Sequence, residues 1–235
     1  FWFCLNGVAW YLSVQAFLYA IFPWLLAVLK KTDTRRLRCI AAAIFCAQCF
    51  FSLAIWKAGL SGKAVFYLTY LCPLFRAGDF AISCCMGCLY HSRKEERIPY
   101  GAFSLLELAA VLFSGGCFFI AARQVGALGA VAFRYNVLFT PSAVLLVWLL
   151  AVGKGVISRL LSAKPFLWLA GLSPYGFLIH QVLIRYMELA ANKLGLTAHP
   201  VVWTLTVFLL TLCLSSFYKA LEHRVRKRHA KAAAR

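Results

Sequence analysis

Residues 64–90 read AVFYLTYLCPLFRAGDFAISCCMGCLY, twenty-seven positions that contain only two charged residues, Arg76 and Asp79. A helix crosses the hydrocarbon core of a bilayer with about 20 predominantly apolar residues, so this run is long enough to span it. Its two opposite charges stand three residues apart, which places them on one helix face and within reach of each other. The pattern recurs along the chain. Apolar runs also occupy 2–29, 38–56, 100–122, 131–153, 166–190 and 200–218, and the breaks between them hold the polar residues. The expected fold is an all-α, polytopic transmembrane helix bundle of about seven spans over residues 1–218. A basic tail follows at 219–235.

Composition excludes the alternatives. Of 235 residues, 63% are hydrophobic and only 14% are charged. A soluble domain carries about a quarter charged residues, so these charges are too few to cover a water-facing surface. The 25 Lys and Arg against 7 Asp and Glu give a formal charge of +18, which in a soluble protein suggests nucleic acid. Here the charge sorts by side instead. The segments 30–38, 91–98, 154–164 and the tail from Lys219 hold eighteen basic residues. The intervening segments hold five, at Lys57, Lys63, Arg123, Arg134 and Lys193. By the positive-inside rule the tail is cytoplasmic and the start of the chain lies outside. Nucleic acid is not an expected partner; the lipid bilayer is.

Polar residues inside apolar runs are costly and mark function by default. They are Gln15, Gln48, Arg76, Asp79, Glu107, His180, Gln181, Arg185 and Glu188. Arg76 and Asp79 admit two readings, a neutralised pair that helps the bundle pack or a fixed positive charge presented to an anion and oriented by the carboxylate. Arg185 and Glu188 lie near the end of their run, where long side chains snorkel to the interface. Glu107 reads either as buried with a partner or as shallow and wet. His180 reads as a hydrogen-bonded packing residue or as part of a cavity wall, because Pro174 and Gly176 one turn before it suggest a broken helix.

The ten cysteines include a Cys46/Cys49 pair and a cluster at Cys84, Cys85 and Cys88. All sit in apolar sequence without metal-site companions, so they read as small hydrophobes, and no metal is expected. Neither a phosphate-binding glycine loop nor a nucleophile-elbow or zinc-protease motif occurs.

Three segments carry a resemblance. Trp10-Tyr11-Leu12-Ser13-Val14-Gln15, with Phe17-Leu18-Tyr19 and Phe22-Pro23 beyond, is one. Pro73 to Phe80, with Arg76 and Asp79, is the second. Leu172-Ser173 with Phe177-Leu178-Ile179-His180-Gln181 is the third, and Tyr218, Glu222 and the basic ending close the series. In order and spacing these resemble the membrane-bound acyltransferase-3 family, polytopic O-acyltransferases that modify cell-surface glycans.

The resemblance implies transfer of an acyl group, commonly acetyl, from cytoplasmic acyl-CoA to a hydroxyl of an extracytoplasmic glycan or cell-envelope acceptor. The expected setting is a bacterial cytoplasmic membrane, with acyl-CoA as donor substrate and no bound cofactor. Arg76 and Asp79 match the family's charged pair, and Trp10, Ser13, Gln15 and His180 line the implied site. The family's catalytic His lies in a first span, and its domain has about ten spans against about seven here. Residue 1 is Phe and the only methionines are Met86 and Met187. The expectation is therefore a C-terminal part of a longer protein, with the catalytic base upstream and no transfer by these residues alone. The sequence departs from the family where Gln15 replaces a glutamate, Tyr11 a serine and Phe177 a tyrosine. The amide of Gln15 can hydrogen-bond but cannot act as a base. Two other readings stand beside the enzyme: a permease whose Arg76 binds an anionic solute, and a catalytically dead membrane scaffold.

Overall fold

The structure, a computed structural model, describes residues 10–92, 99–127, 130–195 and 199–233, with side chains described as far as Lys227. The start of the run 2–29, Cys4, and the basic residues Arg93, Lys94 and Arg97 lie outside the described residues, as do the side chains of Arg228, Lys231 and Arg235. Among the described residues every regular element is helical. They are α1 (Trp10–Leu29), α2 (Thr34–Lys57), α3 (Gly62–Phe66), a π-helical turn (Tyr67–Leu71), α4 (Pro73–Ser92) and α5 (Tyr100–Arg123). There follow α6 (Val131–Arg134), α7 (Thr140–Val152), α8 (Val156–Leu161), α9 (Lys164–Ala170), α10 (Ser173–Leu194) and α11 (Pro200–Ala233).

Among the described residues five stretches are long and apolar enough to cross a membrane: Trp10–Leu29, Thr34–Lys57, Gly62–Ser92, Tyr100–Arg123 and Pro200–Lys227. The pair α9 and α10, bent by 58° at its break, makes a sixth. The run 131–153 departs from the expected continuous span. It carries the single turn α6, an irregular bend over 135–139 and then α7, whose 13 residues extend about 20 Å. Pro141 at the start of α7 cannot donate to a preceding turn, so the helix begins there rather than at residue 131. The break expected near Pro174 and Gly176 lies just before them, at Gly171–Leu172, with Pro174 seated in the first turn of α10. Helix α11 continues without interruption from its apolar part into the basic tail.

The chain divides into two compact units, Ser13–Leu161 and the remainder, Phe1–Leu12 with Ser162–Arg235. In the larger unit, α2 packs on α4. The buried residues of α4 are Phe75, Ile82, Cys85 and Leu89, a spacing of seven, three and four that makes one stripe along the helix. Cys85 joins Leu29, Leu37 and Leu89 in one apolar cluster, which is the small-hydrophobe role expected of it. Gly78 brings the two helices close, because a Cβ there would run into the Gln48 side chain. Elsewhere large side chains face outward, with Trp24 70% exposed and Phe50 74% exposed. Water would penalise such a surface, whereas lipid tails solvate it.

Glu107 is fully buried, and its partners are backbone amides of a segment some fifty residues away. Its carboxylate accepts from the N–H groups of Gly155 (3.2 Å), Ile157 (2.8 Å) and Ser158 (3.3 Å). Ser104, one turn earlier on α5, accepts from Val156 at 3.2 Å. The first N–H groups of a helix have no partner within it and carry partial positive charge. Two side chains of α5 therefore supply what α8 lacks. Gly155 fits because a Cβ would overlap the Glu107 carboxylate. Replacing Glu107 with Ala removes the carboxylate these amides share, and leaves Gly155 only the Ser158 hydroxyl as acceptor. Glu107→Ala should destabilise the larger unit by more than about 3 kcal/mol, and Glu107→Gln by about 1–3 kcal/mol. Reversible unfolding in mixed micelles measures both; equal stability of the alanine variant and the parent would refute the capping role.

Candidate active site

Pro73 has no N–H to give, so the helix through Gly62–Ser92 is interrupted before it. The turn ahead of the proline widens to π geometry, and the Cys72 N–H reaches back five residues to the Tyr67 carbonyl at 2.8 Å. Such widened turns recur at functional sites. Arg76, on the first turn of α4, folds back over this break. Its Nε donates to the Tyr70 carbonyl at 2.8 Å, its Nη1 to Asp79 Oδ2 at 3.1 Å and its Nη2 to the Tyr135 carbonyl at 3.4 Å. The guanidinium also lies over the Tyr70 ring, 4.9 Å from its centre. Phe66, Tyr70 and Tyr135 pack against one another beside it, Phe66 edge-to-face on Tyr135 and the other pairs tilted, with ring centres 5.0 to 5.2 Å apart.

Asp79 is held from two sides. Its Oδ2 meets Arg76, and its Oδ1 accepts from Gln48 Nε2 at 3.1 Å. The same Gln48 nitrogen donates to the Phe75 carbonyl at 3.1 Å, which fixes the amide between α2 and α4. Gln48, marked in the sequence only as a polar residue within a span, is thus the third member of the constellation. Arg76 and Asp79 side chains are mostly buried, at 18% and 26% exposure. Three of the five guanidinium N–H groups have partners among the described residues. The others remain able to meet an oxygen that develops negative charge.

The pair sits at the head of a cleft of about 500 Å³ between α4 and α7. That volume lies within the range of about 300–1,000 Å³ typical of small-molecule sites. Asn136 and Thr140 face the head of the cleft, and Met86, Val147 and Trp148 line its body. Asn136 escaped the sequence reading, although a polar residue in the run 131–153 was the available signal. The tyrosine and carbonyl partners of Arg76 had no such signal, since any residue offers a backbone carbonyl.

Gln15 occupies a half-buried position on α1 and donates to the Tyr19 hydroxyl at 2.5 Å. A glutamate there would accept from that hydroxyl, so the substitution reverses the direction of the bond and keeps the contact. Ser13 is exposed. Trp10 and His180 belong to the smaller unit. His180 Nδ1 meets the Gly176 carbonyl at 3.0 Å. A carbonyl only accepts, so Nδ1 carries the proton, and in the neutral ring Nε2 is the acceptor. Phe177, beside His180 on α10, packs against Tyr11 with ring centres 5.4 Å apart. Two of the three positions that depart from the family pattern thus contact each other. Arg185 and Glu188 are exposed.

In the smaller unit the Tyr175 hydroxyl donates to the Glu222 carboxylate, which also pairs with Arg226. This joins the third segment of the resemblance to its closing one. Beside it, Lys219, His223 and Arg226 line a second, more polar cleft of about 620 Å³. Lys219 reaches Gly171 at the end of α9, where a Cβ would overlap its ammonium group. Among the described residues no group of three or more His, Cys, Asp or Glu is placed to hold a metal ion.

The sequence profile of the acyltransferase-3 family, described as an acyltransferase domain, matches residues 1–219. No curated protein and no solved structure matches the chain. A match over so much of the sequence, joined to an all-helical bundle with membrane-crossing helices, places the chain in the acyltransferase-3 family of membrane acyltransferases.

Proposed function

We propose that the protein is a membrane O-acyltransferase that moves an acyl group, acetyl by family resemblance, from acyl-CoA to a hydroxyl of a glycan or envelope acceptor. The basic ends of the helices face the cytoplasm and the donor; the acceptor approaches from the opposite side. In the reaction the acceptor oxygen attacks the thioester carbonyl, the new ester forms and the carbon–sulfur bond breaks. The proton leaves the hydroxyl through a base and reaches the departing thiolate. The developing oxyanion needs donors that are already in place.

The observation that carries this reading is the Arg76–Asp79–Gln48 constellation at the head of a cleft, in a chain whose family is that of acyltransferases. Arg76 supplies the unspent N–H groups, and Asp79 and the two carbonyls hold the guanidinium in place. A permease that binds an anion through Arg76 finds less support, because Asp79 already neutralises that charge at 3.1 Å. Lys219, His223 and Arg226, which line one cleft together with Glu222, are the groups suited to the CoA phosphates.

Arg76→Ala should lower transfer by about 10²–10³-fold, the worth of one oxyanion donor, while membrane insertion is retained. Arg76→Lys should recover little, since an ammonium group cannot reproduce the planar fork that holds two carbonyls and a carboxylate. Transfer at the parent rate in the alanine variant, measured per folded molecule, would show that Arg76 only seals the helix break. For the donor site, Lys219→Ala should raise KM for acyl-CoA about tenfold with a smaller change in kcat, as expected for loss of one charged hydrogen bond to phosphate. An unchanged KM would remove that cleft from the donor path.

A further inference from the structure

Helix α4 runs beside α1, with the Phe22 and Phe80 rings 5.9 Å apart. Beyond that contact the residues of α4 are small: Ser83, Cys84, Gly87 and Cys88. Opposite them α1 presents Phe22 and Leu26, and a cleft of about 570 Å³ is left between the two helices, wholly within the larger unit. A Cβ on Gly87 would meet nothing within 4 Å, so the space beside it is open. Phe22 is 37% exposed and belongs to the outward-facing side chains that lipid tails solvate. Toward the ends of these helices the character of the walls changes. Lys30 and Thr32 follow α1, Thr34 opens α2, and His91 and Ser92 end α4, so the mouth of the cleft is polar. From Cys84 to His91 is seven residues of α4, so about 10 Å of apolar groove leads from floor to mouth.

The hydroxyls at the mouth are spent on their own helices. Thr32 donates to the Val28 carbonyl at 3.0 Å, and Ser92 donates to the Cys88 carbonyl at 3.0 Å. Asp33 is paired with Arg36 at 3.4 Å. Lys30 and the His91 ring have no partner among the described residues. The segment 30–38 holds five Lys and Arg against the single carboxylate of Asp33, so the mouth attracts an anion. A cationic mouth above an apolar floor fixes the chemistry of the occupant. Free phosphate would leave the floor empty, and a neutral alkyl chain would make no use of the charge. One molecule that joins an anionic head to an alkyl chain meets both. Because α1 forms one wall and faces lipid, such a molecule can enter from the bilayer. One free ammonium group matches the single negative charge of a phosphodiester, whereas the several phosphates of CoA would outnumber it.

We propose that this cleft binds an anionic phospholipid of the surrounding membrane, with its phosphodiester at Lys30 and His91 and one acyl chain in the groove beside Cys84 and Gly87. The lipid then fills the space between α1 and α4. Binding there does not depend on acyl transfer.

The test is photolabelling of the 235-residue chain in phosphatidylcholine nanodiscs with a phosphatidylglycerol that carries a diazirine on one acyl chain. The expected adducts fall mostly on peptides of α1 around Phe22 to Leu26 and of α4 around Cys84 to Cys88. Unlabelled phosphatidylglycerol should displace the probe, and phosphatidylethanolamine should not. Lys30 is exposed, so Lys30→Ala should leave folding intact and weaken this labelling about fivefold, the worth of one basic residue near an anionic headgroup. Lys31→Ala removes the same charge from a neighbour that does not line the cleft, and should weaken it far less. Gly87→Leu fills the floor and should remove the labelling of both helices with Lys30 in place. Labelling spread evenly over all apolar helices overturns the proposal. Equal losses from Lys30→Ala and Lys31→Ala overturn it in favour of diffuse attraction to the basic segment. Displacement by glycerol phosphate overturns it and assigns the mouth to a free phosphate. Displacement by dodecanoyl-CoA in preference to phosphatidylglycerol also overturns it and assigns the cleft to the acyl donor.

Discussion

Inside an apolar bundle there is little water to take up a backbone group that a broken helix releases, so each break must be closed by the protein itself. This constraint organises the structure. At Pro73 the interruption is closed by Arg76, whose guanidinium takes the Tyr70 and Tyr135 carbonyls. At the start of α8 the amides are closed by Glu107 and Ser104. At Gly171 the end of α9 meets the ammonium group of Lys219, a cation at a helix C-terminus. At these three places an ionisable side chain stands where its sign suits the exposed backbone dipoles.

This also separates the charges that remain available for chemistry from those that do not. The Glu107 carboxylate is buried and spends its oxygens on three backbone amides, so it is a structural cap with no acid or base role. Arg76 is intermediate. It seals a break and still has N–H groups unspent at the head of a cleft. The two readings that the sequence left open for Arg76, packing or presentation of charge, are therefore not exclusive. The contacts that make it structural also hold its remaining N–H groups in a fixed position.

The sequence revealed what depends on composition over a long window. Six of the seven apolar runs became long helices or a bent pair, and Arg76 met Asp79 at the three-residue spacing that had suggested it. It did not reveal what depends on a contact between distant backbone and side chain. Nothing near Glu107 signals that its partners are amides of Gly155, Ile157 and Ser158, because backbone amides have no sequence signature. The run 131–153 is apolar throughout whether it is one helix or a turn, a bend and a shorter helix, and hydropathy cannot distinguish them. Its two informative residues were Asn136, a polar side chain where lipid should be, and Pro141, which starts α7.

The placement of Gln48 explains why the Arg76–Asp79 pair is stable where it stands. Two opposite charges in a poorly hydrated bundle lose solvation that their mutual attraction alone rarely restores, unless further hydrogen bonds satisfy what is left. Asp79 has one oxygen turned to Arg76 and one turned to Gln48, and Arg76 has two carbonyls beyond the carboxylate. Gly78 lets α2 approach closely enough for the Gln48 amide to reach. A neutral amide in this role completes the carboxylate without altering the balance of charge. A lysine would leave the head of the cleft positive and a glutamate would leave it negative. The neutrality of the constellation and the fixed position of the guanidinium both follow from one amide held between two helices.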